Sequence, residues 1–276
     1  MEVRPLSPVM GAEVRGVDLS AALARAQFDA IHEAFDRHLL LVFPSQSIDE
    51  PQQIAFSRQF GELQVHVLDQ YRHPRYPEIY LLSNVKAGKT TGEHPDKGTL
   101  VWHSDLSFQP RPALATILYG IEVPRTGGDT LYANMCASYD ALDPGMRREL
   151  EAMRAVHDLD ASRRRAGEPP MTEKQRAAAP PVEHPMVRTH PRTGRKILYI
   201  SRHVSNIAGM KRATSDALLE ALMTHATQER FVFRHRWGAR DVVMWDNRCT
   251  MHCATPYDAA GERRVIHRTV TLVQVA

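Results

Sequence analysis

The chain has 276 residues, is 43% hydrophobic and 24% charged, and carries a formal net charge of +3. That is an ordinary globular composition, long enough to bury one large core or two modest ones. The basic residues are dispersed, which argues against the concentrated basic face that nucleic acid requires.

The first twenty residues read as short strands with turns at Gly11 and Gly16. Asp18 or Ser20 is placed to cap a helix whose apolar positions are Ala24, Phe28, Ile31 and Phe35 and which ends near His38. Leu39 to Phe43 is a short buried strand closed by Pro44. A second helix follows, with Asp49 as its cap, Pro51 in its first turn, apolar surface from Ile54, Phe56 and Phe60, and Gly61 as its stop. Ile79 to Leu82 reads as a strand. Lys86 to Thr99 has no apolar period and reads as a mobile loop of the kind that forms lids or binding loops. Ala113 to Val123 is a buried strand, Thr126 to Asp129 a turn, and Thr130 to Ala133 another strand. Residues 138–155 are helical with a break at Asp143-Pro144.

Asp160 to Glu183 holds Arg163-Arg164-Arg165, several prolines and little to bury, and is expected to be a solvated surface. The remaining strands are predicted at Met186 to Thr189, Lys196 to Ile200, Phe231 to Trp237, Val242 to Trp245 and Val265 to Val275. One helix intervenes, capped by Thr214 or Ser215 and carrying Leu218, Leu219, Leu222 and Met223. Many short strands with helices set apart indicate a mainly β chain. The expected fold is a double-stranded β-helix, or jelly roll, flanked by α-helices, with residues 1–276 forming one domain.

Three cysteines, Cys136, Cys249 and Cys253, make no paired framework and fit a reducing compartment. They read as small buried apolar residues, with Cys249 and Cys253 alternatively as zinc ligands together with His252. No apolar run suits a signal peptide and no stretch spans a bilayer, so a cytoplasmic protein with no membrane partner is expected.

The chemistry gathers around Trp102-His103-Ser104-Asp105. On an extended segment the i, i+2 spacing of His103 and Asp105 turns both side chains to one face, where they offer a divalent metal two ligands. A third must come from elsewhere. Of the fourteen histidines, His252 is the best placed, just beyond the strand Val242 to Trp245 and the turn Asp246-Asn247-Arg248. Two histidines and a carboxylate on one face of an octahedron leave three positions open, the usual arrangement of non-haem Fe(II) oxygenases. Period two in the last strand puts Arg264, Ile266, Arg268 and Val270 on one face and Arg263, Val265, His267 and Thr269 on the other. Two guanidiniums facing a core need anions: either structural carboxylates, or two acidic small molecules such as a cosubstrate and a substrate.

With these motifs in place the chain resembles the taurine dioxygenase and 2,4-dichlorophenoxyacetate dioxygenase (TauD/TfdA) family of Fe(II)/2-oxoglutarate-dependent oxygenases. The likeness runs through Gly11 to Asp18, Ile54 to Gly61, Trp102 to Asp105, Gly127 to Thr130, Val187 to Pro191, Trp245 to Arg248 before His252, and Arg263 to Arg268. It implies that His103, Asp105 and His252 bind iron and that Thr130 and Arg264 hold the distal carboxylate of 2-oxoglutarate. It also implies that Arg268 grips the anionic end of the substrate, and that His66 and Ser162 line its pocket. One extra residue in Ala259-Ala260-Gly261 leaves Arg263 or Arg264 for the 2-oxoglutarate role, and strand alternation favours Arg264. Halogenating relatives lack the carboxylate that Asp105 supplies, so hydroxylation is implied, consuming O2 and 2-oxoglutarate and yielding succinate and CO2. Phe231 to Trp237 and Met244 to Cys249 look closer to the aryloxyacetate branch than to the taurine branch. The implied substrate is therefore a small anionic organic acid of the aryloxyalkanoate type. Taurine, alkylsulfonates and alkylsulfates are the alternative within the family, and a homo-oligomer, dimer or tetramer, is implied by its members. Outside the family stand a non-catalytic metal-binding jelly roll and a zinc hydrolase.

Overall fold

The computed structural model describes residues 1–273. Strands β1 (Glu2–Pro5) and β2 (Ala12–Arg15) pair antiparallel, and helix α1 (Arg25–His38) follows. Neither Asp18 nor Ser20 caps α1. Leu19 is drawn into the core with its amide on Gln46 Oε1 at 2.9 Å, Asp18 takes the Ser20 amide in a local turn, and the helix starts only after Ala24. Next come β3 (Leu40–Phe43) and α2 (Glu50–Arg58). Here Asp49 does cap, accepting the Gln52 amide at 2.8 Å while the Gln52 side chain returns to the Asp49 amide.

Strand β4 (Tyr80–Ser83) leads into the predicted loop, which is built as a small hairpin, β5 (Val85–Lys86) and β6 (Lys89–Thr90), and a 3-10 turn at Lys97–Leu100. Then come β7 (Ala113–Glu122), β8 (Thr130–Asn134), α3 (Met135–Asp140) and α4 (Pro144–Glu151), broken where Asp143-Pro144 predicts. The helix does not reach residue 155, because β9 (Arg154–His157) leaves to join a sheet of its own. The segment expected to be mere surface folds as α5 (Leu159–Arg165), α6 (Glu173–Ala178) and β10 (Val182–Pro185).

After β11 (Val187–Thr189) and β12 (Lys196–Leu198) comes β13 (Val204–Ile207), which the sequence reading omits; β10, β9 and β13 form a three-stranded sheet. Helix α7 (Arg212–Ala226) starts before its predicted caps, and Ser215 instead accepts the Ile207 amide at 2.8 Å. The chain ends with β14 (Val232–His235), β15 (Val242–Asp246), β16 (Thr250–Ala254) and β17 (Val265–Leu272). The predicted tail of that last strand at residues 274–275 lies outside the described residues.

The main sheet runs β1-β2-β3-β15-β7-β17-β4 and faces a small sheet, β14-β8-β16, as in a jelly roll. Strand periodicity sorts its side chains. Leu40, Val243, Trp245, Leu118 and Ile266 pack inward with Tyr132 and Met251 of the small sheet. Leu41, Phe43, Ile117, Tyr119 and Met244 pack outward with Ile31, Phe35 and Phe56 of α1 and α2. The main sheet is therefore apolar on both faces. No helix among the described residues is long and apolar enough to cross a membrane.

Candidate active site

His103 and His252 lie directly opposite each other in an isolated antiparallel bridge. His103 N donates to His252 O at 2.9 Å, and His252 N to His103 O at 2.8 Å. The rings end up 4.1 Å apart, centroid to centroid. Asp105 joins them through the predicted spacing, its amide held on Asn247 Oδ1 at 3.1 Å. Each histidine Nε2 is 3.8 Å from an Asp105 oxygen, His103 from Oδ1 and His252 from Oδ2. These contacts are too long for hydrogen bonds, and one ligand atom from each residue lies within 4.8 Å of the others. All three side chains are buried.

Burial sets the protonation states. Desolvation pushes the imidazoles down, His103 to about 3 and His252 to about 4, so both rings are neutral near pH 7. Burial alone would raise the Asp105 carboxyl. The charge of Arg268, the two imidazoles and a hydrogen bond from Thr116 outweigh it and hold it below the usual range. Three lone-pair donors result, as metal binding requires. His103 Nδ1 sits 2.8 Å from Val101 O, which assigns the proton to that nitrogen and leaves Nε2 free toward the site.

Asn247 organises the pocket floor. Its Oδ1 accepts from Asp105 N and Trp245 Nε1, its Nδ2 donates to Thr116 Oγ1 at 2.8 Å, and its carbonyl accepts from Ser104 Oγ. Thr116 Oγ1 in turn donates to Asp105 Oδ2 at 2.6 Å. The reading of the Trp245-to-Arg248 motif marked Asn247 without assigning it a task. Thr116, a mid-strand threonine in β7, left no signal at all.

The face of β17 follows the predicted alternation. Arg263 turns outward, forking onto Glu122 at 2.5 and 2.8 Å. Arg264 turns inward and is buried with its Nε unpartnered, and burial lowers its pKa to about 10. The loop before it is pinned by Asn84, whose amide nitrogen holds Ala259 O and Glu262 O at 2.9 Å while its Oδ1 takes the Arg264 amide. Arg264 shares a small cavity with Thr130, His103, His252 and Arg268. The Thr130 hydroxyl accepts from Trp237 Nε1 at 3.0 Å, and the buried Tyr132 hydroxyl is unpartnered.

Arg268 reaches both this cavity and a second chamber that includes His66, His103 and Asp105. Its Nη1 donates to Asp105 Oδ1 at 3.0 Å, and its guanidinium lies 4.2 Å over the Tyr80 ring. His66, pushed by burial to about 3 and so neutral, packs edge-on against Tyr80 in the chamber wall. Ser162 lies elsewhere. Its hydroxyl is 3.2 Å from His203 Nδ1, and it lines an outer cleft rather than this chamber, because α5 turns it toward β13. Arg163, expected in solvent, is buried against Glu168 at 2.6 Å and does line the chamber.

The cysteines are free and buried and do not join His252; Cys249 lies instead with His190 and Asp246. That second group is closed on itself. His190 Nε2 meets Asp246 Oδ2 at 3.0 Å, and Arg248 forks onto the same carboxylate at 2.8 and 2.6 Å.

The family model described as "Taurine catabolism dioxygenase TauD, TfdA family" matches residues 2–270. The alpha-ketoglutarate-dependent 2,4-dichlorophenoxyacetate dioxygenase of Cupriavidus pinatubonensis is 40% identical, over 97% of this chain and 96% of its own length. An (S)-phenoxypropionate/alpha-ketoglutarate-dioxygenase of Delftia acidovorans is 36% identical, over 97% of this chain and 94% of its own. Among solved structures, AAD-2 in complex with Mn(II) and N-oxalylglycine superposes with a TM-score of 0.86 at 35% identity, covering 99% of this chain and 98% of that one.

Proposed function

Because this chain belongs to the TauD/TfdA family of 2-oxoglutarate-dependent dioxygenases, we propose that it hydroxylates a small organic acid of the aryloxyalkanoate type. Its cofactor is Fe(II), with 2-oxoglutarate and O2 as cosubstrates. In this reading His103, Asp105 and His252 hold the iron. Two neutral imidazoles and an ionised carboxylate suit a divalent ion of intermediate hardness, and three protein ligands leave further positions of an octahedron open. Bound there, iron with 2-oxoglutarate and O2 supplies oxidation of a C–H bond to an alcohol, with succinate and CO2 as coproducts.

The single observation that carries the proposal is the pair Arg264 and Arg268, two buried guanidiniums on one strand face beside the ligand triad. Arg264 has no carboxylate of the protein within ion-pair reach among the described residues. A closed structural metal site has no use for it. With Thr130, it receives the distal carboxylate of 2-oxoglutarate. Arg268, held flat on Tyr80, takes the acid group of the substrate and directs the neighbouring carbon toward the metal face. His66 stays neutral and adds no competing charge. The high identity to enzymes named for 2,4-dichlorophenoxyacetate and phenoxypropionate supports a carboxylate with an aromatic body. A cytoplasmic homo-oligomer belongs to the same reading, consistent with three free cysteines.

The test is anaerobic loading with Fe(II) and 2-oxoglutarate, followed by the weak visible charge-transfer band of the chelate. The band forms, shifts on adding 2,4-dichlorophenoxyacetate and not on adding taurine, and oxygen then releases the phenol. No band from folded, iron-loaded protein would overturn the assignment of Arg264 and the triad together.

A further inference from the structure

The chamber next to Arg268 is more polar than a plain aromatic body calls for. Its wall carries Arg163, Glu168 and Arg202. Arg163 is fully engaged, with Glu168 at 2.6 Å and the Pro169 carbonyl at 3.0 Å. Arg202 is not. Its nearest approach to Glu168 is 3.7 Å, and its buried Nε and Nη1 have no hydrogen-bond partner. Leaving guanidinium donors without a hydrogen bond away from water is expensive, and at 3.7 Å the Glu168 carboxylate answers the charge of Arg202 without accepting from its donors.

The backbone holds Arg202 beside the reacting centre. Its amide donates to the Trp102 carbonyl at 3.1 Å, one residue from His103. Its carbonyl accepts from Arg165 Nη2 at 2.6 Å. The head group lies under the Lys97–Leu100 turn, where a Cβ on Gly98 would come within 2.6 Å of Arg202 Nη2 and 2.7 Å of Glu168 Oε1. A residue without a side chain is thus needed there for the guanidinium to keep its place. Asp96, the remaining carboxylate nearby, is committed to the Tyr80 hydroxyl and the Gly98 amide, both at 2.9 Å. With Asp96 counted, two cations and two anions balance at this wall, so it does not call for a second full charge.

We infer that Arg202 is a specificity-determining residue that donates to an uncharged hydrogen-bond acceptor on the aromatic body of the substrate, at the end remote from the carboxylate on Arg268. The inference rests on the reading of the site given above. It narrows the substrate class from aryloxyalkanoates at large to those bearing a ring alkoxy, hydroxyl or nitro group.

The experiment compares 3- and 4-methoxyphenoxyacetate with their ethyl counterparts, which match in size but accept no hydrogen bond. The chelate band shift gives affinity and phenol release gives KM and kcat. Wild-type enzyme should favour one methoxy acid over its ethyl partner by about tenfold or more in KM, with similar kcat, as a hydrogen bond to a charged donor provides. Arg202→Met should erase that preference while still forming the 2-oxoglutarate chelate band, which shows that it folds. Gly98→Ala, crowding the same head group, should weaken the preference too. Equal or better use of the ethyl acids by wild type overturns the inference, whatever the variants do. A preference that survives Arg202→Met overturns it as well. If neither acid shifts the wild-type band or is turned over, the site reading itself fails and takes this inference with it.

Discussion

Two of the buried clusters in which histidine meets carboxylate are built to opposite ends. In His190–Asp246–Arg248 every charge is answered. The imidazole sits at hydrogen-bond distance, and a guanidinium forks onto the carboxylate. In His103–Asp105–His252 the imidazoles stop 3.8 Å short of the carboxylate, and Arg264 nearby meets no acid. Both clusters are buried. The first is complete without a ligand and ties β15 to the segment after β11. The second is complete only when small molecules supply what is missing. Burial alone therefore does not mark a functional site; burial with unanswered charge does.

The sharpest way to break this contrast is to exchange the consequences of mutation. His252→Ala should abolish succinate formation and iron binding at a smaller cost to stability, because losing a neutral ring strands no buried charge, whereas removing Asp105 would strand Arg268. Asp246→Ala should do the reverse, destabilising the fold by about 3–5 kcal/mol through the stranded Arg248, with the charge-transfer band retained by the folded fraction. Denaturant titration and iron stoichiometry on both variants decide the matter.

Next in size is Arg264→Met. It should raise the KM for 2-oxoglutarate about a hundredfold or more, since a desolvated charge pair is lost, on the order of 2–5 kcal/mol. The same change should leave the ligand-free protein as stable as wild type or more so, because the partnerless buried cation is gone. A loss of ligand-free stability comparable to that of Asp246→Ala would mean Arg264 is paired after all.

A smaller effect appears in acid. Burial raises the Asp246 carboxyl, but Arg248 and the His190 hydrogen bond pull it further the other way, to about 2. Its folded-state pKa is thus depressed, so its contribution, about 2 kcal/mol, is present above pH ~4 and fades as pH falls toward 2. Asp246→Asn should flatten that part of the stability curve, measured by urea unfolding from pH 5 to 2.

Smallest of all, Arg263→Ala removes an exposed ion pair with Glu122 and should change stability by less than about 0.5 kcal/mol. Its KM for 2-oxoglutarate should match wild type, unlike that of its neighbour.

Much of the site was legible beforehand because its logic is local. Period two along an extended chain ties His103 to Asp105 and separates Arg264 from Arg263, whatever packs around them. The capping box at Asp49 and the break at Asp143-Pro144 were likewise readable, since their hydrogen bonds close within a few residues. What misled was context from afar. Asp18 had the chemistry of a cap, but Leu19 was claimed by the core. Ser162 and Arg163 are adjacent, and α5 sends the one expected in the pocket to His203 and the one expected in solvent into the chamber.

By itself, then, the amino-acid sequence determined the strand-rich fold, the i, i+2 ligand pair and the face that carries the two arginines. All of these follow from backbone geometry repeated at short range. Tertiary structure alone decided that His252 stands opposite His103, that Asn247 and Thr116 fix Asp105, and that the buried Arg202 Nε and Nη1 are left without a hydrogen bond while Arg163 bonds to Glu168 and Pro169. Those outcomes depend on which distant segments meet and on whether each buried charge finds an answering group there. Neither is written in the spacing of any one stretch.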